Sequence, residues 1–335
     1  MPEIERIIFD ENRFDQKVLI SNEDTIFRFH NDSNGVVKKE QLFKKIETLK
    51  NKEFVKVLSI GWSSSLENLE ILPFFPNTVG LSLYGKNLKN LKGIENSKIN
   101  NISILTDSNN GRTLDGLEKI CLTNLEIRIV CKNDLEILKN CESLKVLRIE
   151  GSFDIDFQIF SGLKYLEDII LINRKIEEIK NLNCLKSIKE FDVSYCTKLK
   201  LFGNNNNAIS NLHVQACNKL NLNSLCQFNN LQFLTLISLS NISDFNFITN
   251  LEKLRNISIT ASKLAKTNID AIKNSNTLLE VFMNSKNKII EEIGTFNKKI
   301  LISNGDICFY KGEMIKFEEY QKHSEQIYKN IIGSS

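Results

Sequence analysis

The residues best suited to chemistry in this chain of 335 residues are three histidines and one group of carboxylates. His30, His213 and His323 lie far apart in the sequence, and no Ser/His/Asp or Cys/His set can be assembled around them. The sequence also contains no glycine-rich phosphate loop and no His-Glu-x-x-His zinc motif. We therefore predict that the protein is not an enzyme, that it has no catalytic residues and that it needs no cofactor.

The carboxylates of Asp168, Glu190 and Asp192 are the one group with the chemistry to hold a cation. A calcium loop supplies further oxygen ligands at short sequence spacing, and no such ligands surround these three residues. The eight cysteines form no Cys-x-x-Cys pair and no Cys/His cluster with zinc spacing. We predict no metal site, and we expect Cys196 and Cys217 to be buried free thiols.

The elements that would position these side chains repeat along the chain. From Ile169 to Cys196, a short alternating stretch is followed by apolar residues at every third position, beginning at Ile176 and Ile179. The alternation predicts a strand, and the three-residue spacing predicts a 3₁₀-like or extended return path or a short helical turn. One amphipathic helix over residues 175–189 is disfavoured, because strict three-residue spacing drifts off a helical stripe. The first apolar residues of the predicted strands are Leu58, Leu81, Ile102, Leu125, Leu147, Ile169, Phe191, Leu212, Leu234, Ile257 and Val281.

This unit resembles the leucine-rich repeat family, in the 22-residue class of internalins and of phosphatase regulatory subunits. The family pattern L-x-x-L-x-L-x-x-N is met at its apolar positions by Ile188, Phe191 and Val193. Its asparagine position aligns here with Arg174, Cys196, Cys217 and Leu239, among others. The resemblance implies an α/β solenoid, a leucine-rich repeat horseshoe with a parallel concave sheet of about 11 strands.

Three regions are expected along the chain. Residues 1–54 form an N-terminal cap of short strands, at Ile7–Phe9, Val18–Ile20 and Ile26–Phe29, followed by a helix over residues 38–50. A small interaction module is the alternative for this region. Residues 55–295 hold the repeats, and residues 296–335 form a C-terminal cap with a β-hairpin over residues 300–310 and a helix over residues 315–332.

Charge and hydropathy narrow the class of partner. The net charge is +3 with no basic stripe, which disfavours nucleic acid. No apolar run reaches the ~18 residues of a membrane helix, and the N-terminus lacks the pattern of a secretory signal. We expect a cytoplasmic protein without a membrane or small-molecule partner. Export by a route that uses no cleaved signal is the alternative.

The candidate binding residues lie between the core positions of the strands and point to the concave face. Some are charged and others are apolar or aromatic, a mixture typical of protein-binding patches. An ordinary solvated sheet with chance apolar residues is the alternative. The candidates are Arg128, Arg148, Glu150, Asp168, Ile170, Ile172, Glu190, Asp192, Tyr195, His213, Phe233 and Ile237.

The function that the resemblance implies is a non-catalytic module that binds another protein through this concave face. In the bacterial setting that the composition suits, one version is an immunity protein that neutralises a toxin, and another is an effector that engages a host protein. The alternative is a regulatory or scaffold subunit of an enzyme such as a phosphatase. All of these rest on analogy at the level of the fold.

Overall fold

The structure, a computed structural model, describes residues 6–10, 25–30, 38–61, 64–84, 86–106, 111–128, 132–203, 208–240, 242, 245–261, 269–284 and 286–333. The chain divides into two compact units. Unit 1 comprises Met1–Phe153 and Ile159–Leu166, and unit 2 comprises Asp154–Gln158 and Glu167–Ser335.

Unit 1 is built on a parallel sheet whose strands follow one another in chain order. The strands are β1 (Arg6–Asp10), β2 (Thr25–His30), β3 (Val55–Ile60), β4 (Gly80–Leu83), β5 (Asn101–Ile104), β6 (Asn124–Ile127) and β7 (Val146–Gly151). Its helices are α1 (Lys39–Thr48) and α2 (Lys132–Leu138). Two predicted N-terminal strands and the predicted helix are thus confirmed, while Val18–Ile20 lies outside the described residues.

Unit 2 continues the same pattern of one strand per repeat. The strands of its main sheet are β8 (Asp168–Asn173), β10 (Glu190–Ser194), β12 (Asn211–Gln215), β13 (Phe233–Leu239), β14 (Asn256–Ala261), β15 (Glu280–Met283), β16 (Leu301–Ser303), β17 (Cys308–Tyr310) and β18 (Glu313–Ile315). Strands β9 (Glu178–Ile179) and β11 (Leu201–Phe202) pair in a small separate sheet. Its helices are α3 (Asp270–Lys273), α4 (Asn287–Phe296) and α5 (Phe317–Gly333).

The predicted register is confirmed. In unit 1, Leu58, Leu81, Ile102, Leu125 and Leu147 are paired strand to strand. In unit 2, the same holds for Ile169, Phe191, Leu212, Leu234, Ile257 and Val281. All eleven side chains are buried, so one side of each sheet packs on the core. We call the other side, which points away from the core, the open face.

The return segment after β8 is extended rather than helical. It contains β9 and a 3₁₀ turn at Leu182–Cys184, and the residues at every third position are buried. This confirms the first interpretation and excludes the single helix over residues 175–189. Phe157, Phe191, Phe202 and Phe228 form a row of buried rings in the core of unit 2, with successive centroids 5.1–6.3 Å apart. Each such contact contributes ~0.5–1.5 kcal/mol beyond area burial.

The alignment of the asparagine position at Arg174 is wrong by one residue. Asn173 is the buried residue there, and its Oδ1 accepts hydrogen bonds from the backbone N–H groups of Lys175 and Ile176, at 2.8 and 3.1 Å. Asn173 follows the last core leucine of its strand by two positions rather than by three. The side-chain oxygen still satisfies the turn, which is the role that the family pattern gives to asparagine.

The next three repeats reach the equivalent position with one extra residue. Tyr195, Ala216 and Ser238 have φ angles of 54–55°, a left-handed conformation that is uncommon for residues other than glycine. Each turns the following side chain into the core, so that Cys196 and Cys217 are buried as predicted. The Cys217 thiol donates to the Val193 carbonyl at 3.4 Å. In two of these turns a cysteine thiol thus occupies the buried position, and it donates a hydrogen bond where Asn173 accepts.

The C-terminal elements are close to expectation. Strands β16 and β17 pair antiparallel, as the predicted hairpin requires, and α5 fills the predicted helix. Strand β18 extends this hairpin, and α4 was not predicted. The limits of the three predicted regions, at residues 54 and 295, stay a prediction.

Candidate functional site

The open face of unit 2 presents two rows of side chains that the strand register aligns. The first row runs Asp168, Glu190, Asn211, Phe233, Asn256 and Glu280. The second row runs Ile170, Asp192, His213, Thr235, Ser258 and Phe282. Paired residues of a parallel sheet lie ~4.8 Å apart and point to the same side. Each row therefore brings residues from successive repeats side by side.

A groove of about 340 Å³ lies along these two rows. We call it the acidic groove. Its lining residues are Asp168, Ile170, Glu190, Phe191, Asp192, Asn211, Leu212, His213, Phe233, Thr235, Asn256 and Tyr328. Its volume is at the lower end of the range for small-ligand pockets, which suits one side chain or a short segment rather than a folded element.

The charge in the acidic groove is one-sided. Three of the twelve lining residues carry carboxylates, and none of the twelve is lysine or arginine. Asp192 accepts a hydrogen bond from the Ser194 hydroxyl, and Glu190 Oε1 accepts one from Asn211 Nδ2 at 3.1 Å. The nearest approach of an imidazole is that of His213 Nε2, which lies 4.0 Å from Asp192 Oδ2. Within the lining of the groove, no lysine or arginine pairs with any of the three carboxylates.

Asp168 shows the effect of this crowding on ionisation. Burial raises the pKa of its carboxyl from 3.8 to about 6, and the negative charges of Glu190 and Asp192 add to the shift. Both effects disfavour the charged form of the same group. A cation entering the groove would relieve this penalty.

One wall of the acidic groove is aromatic and combines a ring of strand β13 with a ring of helix α5. The ring of Tyr328, on α5, lies with its centroid 5.3 Å from that of Phe233, on β13. Tyr328 remains about half exposed. The two rings form one apolar surface beside the carboxylate row.

Helix α5 is held on the open face at a second point. The Tyr320 hydroxyl donates to Glu280 Oε1 at 2.7 Å, and Asn256 Nδ2 donates to Glu280 Oε2 at 2.6 Å. Both Tyr320 and Glu280 are buried. Burial and the adjacent Glu280 carboxylate raise the pKa of Tyr320 well above its ordinary value, so the hydroxyl remains a donor.

The geometry of a helix explains how α5 reaches the groove. Tyr320 and Tyr328 are eight positions apart, which is ~12 Å at 1.5 Å per residue. Their partners on β15 and β13 are two strand spacings apart, ~10 Å. The helix therefore crosses the strands and follows the first row. Its start is anchored where Tyr320 packs with Leu301 and Cys308, against the partly buried Tyr310, Ile315 and Ile327.

The open face of unit 1 has the same register but a different chemistry. Ser59, Ser82 and Ser103 occupy the positions that correspond to the second row. Further along, Arg148 Nε lies 3.2 Å from Glu126 Oε1, and Arg128 Nε lies 3.6 Å from Glu150 Oε2. These four charged residues thus pair with one another. Arg28 lies on the same face, where it donates to the Ser59 hydroxyl at 3.3 Å and lies over the Tyr84 ring.

Comparison with solved structures identifies the architecture. The TLR13–ssRNA13 complex superposes with a TM-score of 0.51 at 16% identity, and the match covers 84% of this chain and 42% of that one. An internalin from Listeria monocytogenes gives 0.36 at 18% identity, covering 84% and 75%. Toll in the Drosophila Toll–Spatzle complex gives 0.41 at 12% identity, covering 83% and 46%. These structures are leucine-rich repeat proteins.

The fold is that of a leucine-rich repeat protein. The conclusion rests on the strand register and on the first superposition, since the other two scores are too low to add to it. The chain spans less than half the length of that first structure. No protein-family model matches the sequence, and no curated protein matches it.

Six of the predicted site residues come together in the acidic groove: Asp168, Ile170, Glu190, Asp192, His213 and Phe233. Ile172 and Ile237 lie on the same open face, half-buried, farther along their strands and outside the groove lining. Tyr195 was expected on a strand and instead lies in the turn after β10, with 47% of its surface exposed. Arg128, Arg148 and Glu150 belong to unit 1 and form the ion pairs described above.

The other six lining residues were not predicted as site residues: Phe191 and Leu212, which were predicted in the core, and Asn211, Thr235, Asn256 and Tyr328. Asn211, Thr235 and Asn256 occupy the same alternating positions as the predicted ones, so the strand pattern held the signal for them. Tyr328 had no such signal, because a helix sequence does not specify the surface on which the helix packs. Among the described residues no group of three or more His, Cys, Asp or Glu side chains is placed to hold a metal ion. No described helix is long and apolar enough to cross a membrane.

Proposed function

We propose that this leucine-rich repeat protein is a non-catalytic module that binds a partner protein through the open face of unit 2. The acidic groove is the observation that carries the proposal. It combines uncompensated carboxylates with an exposed aromatic wall, and half-buried Ile172 and Ile237 extend the apolar surface along the same face. Aromatic anchors inside a polar surround are what energetically dominant interface sites contain.

The charge of the groove favours a protein over a nucleic acid. The superposed TLR13 structure contains single-stranded RNA, but binding to a phosphate backbone needs lysine and arginine side chains. The acidic groove has three carboxylates and neither of those residues. A phosphate chain would meet repulsion there.

The non-catalytic part of the proposal is supported by the surroundings of His213. Acid–base catalysis of the Ser/His/Asp type needs an imidazole that is hydrogen-bonded on both sides. His213 Nε2 lies 4.0 Å from Asp192 Oδ2, which is too long for a hydrogen bond. Thr235 lies on the neighbouring strand, and within the described residues no hydrogen bond joins it to His213.

A cytoplasmic location is also part of the proposal. Seven cysteines have described side chains, and all seven are free thiols. Free thiols in this number suit a reducing compartment.

The test is affinity capture from a lysate of the source organism, read by mass spectrometry. The baits are the wild type, Asp192→Lys and Ser82→Lys. Asp192 and Ser82 are half-buried residues in corresponding strand positions of unit 2 and unit 1, which makes the second variant a matched control. We expect one protein to be lost with Asp192→Lys and retained with Ser82→Lys.

Capture of the same proteins by all three baits would contradict the proposal. The captured protein would also decide the role: a toxin would indicate an immunity protein, a host protein an effector, and an enzyme subunit a regulator or scaffold. Circular dichroism of each bait checks that the fold is retained.

A further inference from the structure

We propose that the acidic groove receives an arginine side chain of the partner protein. The inference rests on the proposed function and specifies the chemistry of the partner at this site. Three features of the groove point to a guanidinium group: its unmatched charge, its aromatic wall and the spacing of its carboxylates.

The charge argument starts from the row of carboxylates. The whole chain carries a net charge of +3, whereas the groove lining carries three carboxylates and no lysine or arginine. On the open face of unit 1, Arg148 and Arg128 pair with glutamates of the neighbouring strand. The lining of the acidic groove contains no arginine or lysine that could pair with its carboxylates in the same way. A cation supplied by another molecule would complete the pairing.

The aromatic wall distinguishes an organic cation from a metal ion. Phe233 and Tyr328 line the same groove as the carboxylates, with ring centroids 5.3 Å apart. A planar guanidinium stacks on aromatic faces and is more weakly hydrated than an ammonium group. The carboxylates themselves do not converge on one point, since no described cluster is placed to hold a metal ion.

The spacing of the carboxylates distinguishes arginine from lysine. Asp168 and Glu190 are paired residues on neighbouring strands, and Asp192 lies in the second row beside them. Oxygen atoms on strands ~4.8 Å apart suit a fork of several N–H donors, which can contact two carboxylates at once. A lysine ammonium group also has three donors, but they project from one compact nitrogen atom and span a shorter distance than the guanidinium fork.

The raised pKa of Asp168 agrees with this arrangement. Its carboxyl carries the cost of burial and of two like charges. An arginine in the groove would lower that pKa, because an opposite charge at close range favours the ionised form.

The experiment uses three blocked tripeptides, acetyl-Gly-X-Gly-amide, in which X is arginine, citrulline or lysine. Citrulline has the shape of arginine without its charge. Each peptide is titrated into the full chain at pH 7 while NMR follows the methyl groups of Ile170 and Thr235 and the ring protons of His213. We expect millimolar binding of the arginine peptide, since a single side chain contributes little, and about tenfold weaker binding of the other two.

Variants locate the binding. The double change Asp168→Asn and Asp192→Asn should weaken arginine binding about tenfold or more, and Tyr328→Leu should weaken it about threefold. Glu126→Gln, on the open face of unit 1, is the matched control and should leave binding unchanged. Chemical-shift maps of each free variant show that the fold is retained.

Four outcomes would overturn the inference, and the last two separate it from the proposed function. Equal binding of arginine and citrulline would exclude the charge argument, and equal binding of arginine and lysine would exclude the fork. If the arginine peptide fails while Asp192→Lys still loses the captured protein, the proposed function stands and only the arginine assignment falls. If the arginine peptide binds and Asp192→Lys loses no captured protein, the groove is a basic-group site unconnected with partner capture.

Discussion

The two open faces share one strand register but differ in the charges that they present. In unit 1, the carboxylates on this face form two Arg–Glu pairs beside a row of serines, and Arg28 contacts Ser59 and the Tyr84 ring. In unit 2, three carboxylates stand beside an aromatic wall and lack a basic partner in the groove. The cores behind the two faces are alike, because buried leucine and isoleucine residues pair strand to strand in both. The difference shows that the repeat fixes where side chains point, while the choice of outward residue decides whether the carboxylates of a face have basic partners within it.

The largest expected effect tests whether the two cores are equivalent. Leu125→Ala in unit 1 and Leu171→Ala in unit 2 each remove a fully buried side chain from a strand. Each should lower the free energy of unfolding by ~2–5 kcal/mol, since a cavity is added to the lost burial. Urea unfolding followed by circular dichroism measures both. A cost below ~1 kcal/mol for either variant would show that the cores differ.

The next effect concerns helix α5, which packs on the open face of unit 2. Tyr320→Phe removes the hydroxyl that donates to the buried Glu280 carboxylate. The loss should be ~1–3 kcal/mol, because a buried acceptor loses a partner. Hydrogen exchange along α5 should speed up accordingly. Tyr328→Phe is the control, since its hydroxyl forms no hydrogen bond with any described residue, and unchanged exchange in both variants would contradict the role of Tyr320.

A smaller effect comes from the raised pKa of the Asp168 carboxyl. Its pKa of about 6 in the folded chain exceeds the ordinary value of 3.8, so the folded state holds this proton more tightly than the unfolded state does. The group therefore costs stability as pH rises from about 4 to about 6. Asp168→Asn should raise the free energy of unfolding by ~1 kcal/mol at pH 7, after allowance for partial exposure, and by nothing near pH 3.5.

Thermal unfolding at the two pH values measures this difference between wild type and variant. A stabilisation of equal size at both pH values would show that ionisation of Asp168 is not the cause. The expected gain at neutral pH means that this face of unit 2 retains a charge that the fold alone does not favour.

The smallest effect asks whether carboxylates alone would turn the unit 1 face into a binding site. Arg148→Met frees Glu126 from its partner at 3.2 Å. Because the pair is partly exposed, stability should change by less than ~1 kcal/mol. In a chain that also carries Asp168→Asn and Asp192→Asn, this change should create no binding of the arginine tripeptide. Binding by that variant would show that the aromatic wall is dispensable.

The strand register was predictable because a parallel repeat leaves little freedom. All eleven strand positions followed from apolar alternation at nearly constant spacing, and the outward direction of residues such as Asp192 followed from the period of two. The asparagine position was missed at Asn173 because the turn there is one residue shorter than those containing Tyr195, Ala216 and Ser238. A backbone conformation of that kind leaves no trace in apolar spacing.

The groove itself was only partly predictable. The carboxylates and Phe233 could be placed on one face from sequence, since the register aligns them. Their enclosure by Tyr328 depends on contacts made by distant residues, among them Tyr320 with Glu280. The sequence of α5 predicts a helix, but it does not specify which face of the sheet the helix crosses.

The position of Tyr328 distinguishes substitutions in the strand rows from substitutions on α5. A residue in a strand row is surrounded by paired neighbours, so its replacement must suit the strands on both sides. A residue on α5 touches the groove from one side only, and about half of its surface is free. Chains that keep these repeats and vary at position 328 would therefore accept different ligands on an unchanged frame. A substitution at position 328 would thus change the wall of the acidic groove while the strand pairs that form the core stay the same.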